Sequence, residues 1–167
     1  MKILGIGPSM FHDPAAALIV DSKVVAAVEE ERLIREKHAK GKLPIKAIEY
    51  CLEAGGLKPT DIDVIAFPWS QDVYNRYKFQ YFRRKFFSSP DRAIKAVTKA
   101  AKTCRGQEEI VDQIIRHFNF DRSRILVSYV EHHLAHAASA FFFSGFKEAA
   151  ILSLDGSGEF PATFIGR

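Results

Sequence analysis

Three short apolar runs, at residues 2–6, 15–20 and 24–28, restrict the fold more than any other feature of this 167-residue chain. Each has the length of a strand and is bounded by turn-forming residues. Gly7-Pro8-Ser9 breaks the first run, and Asp21-Ser22 is a tight-turn signal before the third. So short a turn returns the chain antiparallel, because parallel pairing needs a crossover of many residues. The runs therefore read as an antiparallel meander.

Beyond the meander the pattern changes. Residues 29–38 are dense in charge and followed by Gly41 and Pro44, which reads as a mobile loop or short helix outside the core. Ile45, Ile48 and Leu52 recur at helical spacing, with Gly55-Gly56 as the stop. A strand at 63–67 ends at Pro68. Two helical segments are expected between 91 and 118, separated near Arg105-Gly106. A strand at 125–130 leads into a helix that closes near Gly145. Residues 149–154 form a further strand, with 161–165 as its hairpin partner.

That order matches one lobe of the actin-like ATPase and sugar-kinase superfold, the ribonuclease-H-like arrangement. It is an α/β fold in which helices flank a mixed sheet. On this scheme residues 1–146 form a first lobe and 147–167 open a second, leaving the chain expected to be an incomplete part of a two-lobed protein.

Composition sets outer limits. Hydrophobic residues at 47% and charged residues at 26% fit a soluble globular protein. The apolar run 137–143 is too short to span a bilayer, and Gly5, Pro8 and His12 interrupt any signal-peptide core. Cys51 and Cys104 form no disulfide framework, so a reduced cytoplasm is expected. The net charge of +4 is unevenly placed: ten Lys or Arg residues lie between Asn75 and Arg105 against only Asp91. Tyr77, Phe79, Tyr81, Phe82, Phe86 and Phe87 interleave with them. Such a stretch suits nucleic acid, or it is a helical insertion whose rings are buried while its cations stay solvated. The second reading is preferred, so a nucleic-acid partner is not expected.

Three of the six histidines fall in His132-His133-Leu134-Ala135-His136. Four residues apart on a helix, His132 and His136 project from one face about one turn apart. Two imidazoles so placed can hold one metal ion, and Asp155 at a strand end can complete the set. His133 points elsewhere and reads as a neighbour rather than a ligand. Such a pair can also line a polar groove; small Ala135, Ala137, Ala138 and Ser139 favour a ligand, because they allow close approach.

Asp155-Gly156-Ser157-Gly158 reads as a turn with backbone N–H groups for an anion such as phosphate, or as an ordinary hairpin turn. His12 can take a proton from a hydroxyl near neutral pH, with Asp13 orienting it or binding a ligand hydroxyl; a turn cap and a surface histidine are the plainer readings. In the charged tract, Arg35 or Lys37 can reach a phosphate or carbonyl oxygen.

Five stretches together resemble the N-terminal part of the nodulation-protein-U and cephalosporin-hydroxymethyl carbamoyltransferase family. They are His12-Asp13-Pro14-Ala15-Ala16-Ala17, the tract from Glu30-Glu31-Arg32 to Lys37-His38, Ala47-Ile48-Glu49-Tyr50-Cys51-Leu52, His132 to Phe141, and Leu154-Asp155-Gly156-Ser157-Gly158-Glu159. The resemblance implies an O-carbamoyltransferase that makes carbamoyl-adenylate from carbamoyl phosphate and ATP, then carbamoylates a small-molecule alcohol. It implies His132, His136 and Asp155 as ligands of a divalent metal, with iron the first expectation. It also implies His12 as base on the acceptor hydroxyl and Lys37 as a contact to carbamoyl-adenylate. Members are several times longer, with a second lobe and an adenylate-forming domain as further partners. The competing enzyme reading is an actin-like kinase or ATPase lobe using Asp13 and Asp155 for magnesium-nucleotide. The basic aromatic stretch matches no family motif.

Overall fold

In the computed structural model, strands β1 (Lys2–Ile6), β2 (Ala15–Val20) and β3 (Lys23–Glu29) form the expected meander. The structure describes residues 1–7, 13–156, 158–159 and 161–167, without the side chains of 99–101, 103 and 104. Asp21 and Ser22 both adopt positive φ, which supplies the twist of a tight antiparallel turn. Strand β4 (Val64–Phe67) pairs parallel to β1, and β5 (Leu126–Tyr129) completes a five-stranded mixed sheet in the order β3-β2-β1-β4-β5.

The chain divides into two compact units, residues 1–67 with 103–128, and residues 68–102 with 129–167. Within the first, the alternation of strand side chains buries Leu4, Leu18 and Ile65 completely, in one row of paired positions across three strands. Helix α2 (Ile45–Gly55) buries Ala47, Ile48, Cys51 and Leu52 and packs on β2 and β3. Gly55 permits that approach, since a Cβ there would lie 2.5 Å from the Leu18 side chain. Burial pushes the Cys51 thiol above its ordinary pKa, which makes it a packing group rather than a reactive one. The side chain of Cys104 lies outside the described residues.

Three expectations need correction. The charged tract forms a short helix, as one of its two readings expects, α1 (Glu30–Ile34), and a 3-10 turn at Lys37–Ala39, but the first residue of α1 belongs to the core. Glu30 is 3% exposed and its two oxygens accept from the amides of Lys46 at 3.1 Å and Ala47 at 2.7 Å. It satisfies the first turn of α2, where the N-cap Pro44 has no side-chain bond to offer. Glu30→Ala strands two donors, so a loss of about 2–4 kcal/mol in urea unfolding is expected, and Glu30→Gln should lose less. A loss below about 0.5 kcal/mol, the range of ordinary surface sites, would contradict this role.

Second, α4 (Pro90–Phe118) is one continuous helix, running through Arg105-Gly106. Gln107, Val111, Ile114 and Ile115 share one buried face, and that burial outweighs the roughly 1 kcal/mol cost of one internal glycine.

Third, the rings of α3 (Gln71–Phe86) are not in the core. Only Tyr74 is buried, its hydroxyl donating to the Val97 carbonyl at 2.8 Å, whereas Phe79 is 73% and Phe87 91% exposed. The second unit also holds α5 (His132–Ser144) and the antiparallel pair β6 (Ile151–Leu154) and β7 (Thr163–Gly166). Among the described residues no helix is long and apolar enough to cross a membrane.

Candidate metal centre

Helix α5 follows β5 after one intervening residue pair and stops at Gly145, which takes the left-handed conformation that favours glycine. Its N-cap Glu131 makes no side-chain cap. The carboxyl group of Glu159, 4% exposed, takes that place by accepting from the His132 amide at 3.0 and 3.3 Å. Its Oε1 also accepts from the Ser70 amide at 2.7 Å, and the Ser70 hydroxyl in turn caps α3 by accepting from Val73. One acidic side chain thus fixes the starts of two helices, where the partial positive charge of helix N-termini suits a carboxyl group.

This anchoring sets the position of His132. Its Nδ1 faces the Pro68 carbonyl at 3.4 Å and its ring lies 5.2 Å from that of Trp69. A carbonyl only accepts, so Nδ1 carries the proton and Nε2 presents its lone pair. That nitrogen lies 2.7 Å from Asp155 Oδ2 and 3.1 Å from His136 Nε2, while His136 Nε2 lies 3.4 Å from the same Asp155 oxygen. Three potential ligand atoms from α5 and the end of β6 thus converge. Acceptor lone pairs at these distances need a shared proton or a cation between them. Donor atoms around a tetrahedral Zn-like ion with bonds of about 2.0–2.1 Å stand a little over 3 Å apart, so the set fits a divalent metal with small adjustment. With no metal bound, a hydrogen bond with His132 through that shared proton holds the Asp155 carboxyl below its ordinary pKa, aided by the Gly156 amide and against a desolvation cost.

His133 is fully buried and serves a different purpose. Its Nε2 donates to the Pro161 carbonyl at 2.9 Å, which leaves Nδ1 to accept from the Ser153 hydroxyl at 3.1 Å. It clasps α5 to β6 and to the loop that follows. Gly158 is part of the clasp: a Cβ there would lie 2.9 Å from both His133 Cδ2 and the Pro161 oxygen. Beside the metal-ready triad opens a cavity of about 290 Å³, lined by His136, Ala137, Ala140, Ser153 and Asp155 among others.

The family model described as "Carbamoyltransferase N-terminus" matches residues 2–165. The chain belongs to that family. It is 40% identical over 162 residues to "Nodulation protein NolNO" of Sinorhizobium fredii (strain NBRC 101917 / NGR234), covering 97% of this chain and 22% of that protein. It is 35% identical over 170 residues to "Uncharacterized protein sll1178" of Synechocystis sp. (strain ATCC 27184 / PCC 6803 / Kazusa), covering 98% of this chain and 26% of that one. The chain thus spans about a quarter of the length of these curated relatives. Among solved structures it resembles YeaZ from Pseudomonas aeruginosa at 14% identity and a TM-score of 0.40, over 90% of this chain and 53% of that one.

Other candidate residues of this carbamoyltransferase N-terminus separate into groups. In the first unit, Asp13 pairs with His38: Asp13 Oδ1 lies 2.9 Å from His38 Nδ1, and the Asp13 amide donates to the His38 carbonyl at 2.9 Å. The His38 amide donates to Glu31 at 2.7 Å, which brings three potential ligand atoms together there too. Asp13 and His38 both adopt positive φ. Local spacing does not reveal this pairing, because 25 residues separate the partners. His12, the proposed base, lies outside the described residues, as does Ser157. Arg35 ends α1 in a left-handed conformation and Lys37 opens the 3-10 turn, both exposed. In the second unit, the Gly156 amide donates to Asp155 and the Gly158 amide to Pro161, so both already serve acceptors within the turn.

Proposed function

We propose that this chain supplies the metal-holding part of an O-carbamoyltransferase with a ribonuclease-H-like lobe. The observation that carries the reading is the convergence of His132, His136 and Asp155 in a chain of the carbamoyltransferase N-terminus family. Carbamoyl phosphate loses its phosphate to water, and an oxygen of the resulting carbamate attacks the α-phosphorus of ATP, which expels pyrophosphate and gives carbamoyl-adenylate. The acceptor oxygen then bonds to the carbamoyl carbon, the bond from that carbon to the adenylate phosphate breaks, AMP leaves, and the hydroxyl proton passes to a base.

His12 is the residue proposed for that proton, since a histidine exchanges protons near neutral pH. Asp13, Arg35 and Lys37 are proposed to orient the reactants and pair with phosphate or carbonyl oxygens. His132, His136 and Asp155 would hold a divalent metal, iron being the first expectation. When bound it supplies Lewis-acid polarisation and charge neutralisation. Pro68, Trp69 and Glu159 keep His132 oriented, and the adjoining cavity gives a reactant room beside the triad. The reading includes a second lobe and an adenylate-forming domain as partners, and a cytoplasmic setting.

The test is a titration of the Co(II)-loaded chain with a hydrolysis-resistant carbamoyl-adenylate analogue. Binding should require metal and disappear in His132→Ala/His136→Ala. ATP binding that survives loss of both histidines, without affinity for the analogue, would replace this reading by an ATPase or kinase lobe.

A further inference from the structure

Helix α3 carries its unexplained residues on the side it does not use for packing. Tyr74 faces inward and is 2% exposed. Arg76, Phe79, Arg83 and Phe86 follow at helical spacing (i, i+3, i+7, i+10), so they share a second face. Both arginines are exposed; Phe79 is 73%, Phe86 40% and the adjoining Phe87 91% exposed. Single exposed apolar residues are ordinary, but here Phe86 and Phe87 adjoin at the helix end, and Phe79 is exposed two turns earlier on the same face. Phe86 lies 5.0 Å from Phe82 and 5.7 Å from Phe87, ring centre to ring centre, and the Lys78 ammonium sits 5.2 Å from the Phe79 ring. These rings sit within a stretch holding ten Lys or Arg residues and one Asp.

We infer that this face of α3 binds single-stranded nucleic acid, with Phe79, Phe86 and Phe87 as stacking platforms for bases and Arg76 and Arg83 on phosphates. A polyanion is called for by the charge imbalance, and flat apolar groups by the exposed rings. The alternation decides against an anionic membrane surface. A helix that lies in a membrane interface separates its apolar face from its cationic one. Here rings and guanidinium groups share one face, so burying Phe79 and Phe86 in acyl chains would carry Arg76 and Arg83 with them. Stacking on bases beside phosphates accommodates both at once.

The test is fluorescence anisotropy of a labelled mixed-sequence 20-nucleotide RNA, and of the matching single-stranded DNA, titrated with the chain over a range of NaCl concentrations. Binding should weaken steeply with salt. Arg76→Ala/Arg83→Ala should weaken it and reduce the log–log salt slope by about 1.4. Phe79→Ala/Phe87→Ala should weaken it at least about fivefold while leaving the slope unchanged. An unchanged far-ultraviolet circular dichroism spectrum and melting temperature confirm that each variant remains folded. Absence of oligonucleotide binding, affinity indifferent to the ring substitutions, or binding to phosphatidylglycerol vesicles alone would each overturn the inference.

Discussion

Replacing His132 and His136 together by alanine is expected to weaken Co(II) binding at least about 100-fold, since even changes to groups that merely support a ligand cost about 10–100-fold. Calorimetric titration or the visible Co(II) spectrum reads the loss directly; unchanged stoichiometry and affinity would remove the site assignment. His133→Ala provides the contrast. That ring lies in the core and bonds to Ser153 and Pro161, so its loss should lower the melting temperature before it alters metal affinity. Acidification distinguishes the ligands further. A ligating imidazole must be neutral and a ligating carboxyl ionised. Carboxyls ordinarily titrate well below imidazoles, and the pKa of Asp155 is lowered further by His132. As pH falls from neutral, metal should therefore leave with proton uptake while Asp155 is still charged. At a fixed metal concentration, Asp155→Asn should reduce affinity at every pH and so move the midpoint of release to higher pH. Without metal the sign for stability is simple: a depressed folded pKa contributes above the ordinary carboxyl range and is lost as pH falls through the folded value.

What could be read from the sequence was whatever local spacing determines. Strand alternation and the Asp21-Ser22 turn located the meander, and the four-residue spacing of His132 and His136 placed two rings on one helical face. Both depend on neighbours a few residues away. Gly106 misleads for the opposite reason. As an isolated glycine it looks like a break, and only the burial of Gln107, Val111, Ile114 and Ile115 on one face shows why the helix continues. The aromatic stretch failed similarly, because spacing gives a helix but not which face of it packs. Long-range partnerships were hidden altogether. Glu30 looked like one more solvated acid, although it holds the first turn of α2, 16 and 17 residues away.

Glu159 is the strongest such case, and Glu159→Ala should be the most damaging single change in the second unit. Its partners Ser70 and His132 lie 89 and 27 residues away, so no pattern around Leu154-Asp155-Gly156-Ser157-Gly158-Glu159 reveals the role. Truncation to alanine leaves two backbone donors without acceptors and removes the acidic group from the start of α5. Each stranded donor costs about 1–3 kcal/mol, so a loss of about 3–5 kcal/mol is expected in denaturant unfolding. The damage should also extend to the metal. His132 depends on its own amide anchor and on the Pro68 carbonyl beside Ser70, so Co(II) affinity should fall about 10–100-fold in molecules that remain folded. Glu159→Gln separates the two contributions, since its amide oxygen can still accept while the charge is gone. It should recover more than half of the lost stability. If Glu159→Ala melts like the unaltered chain, the carboxyl group does not hold these helix starts. If it melts early but binds Co(II) with full affinity, the anchor serves the fold alone.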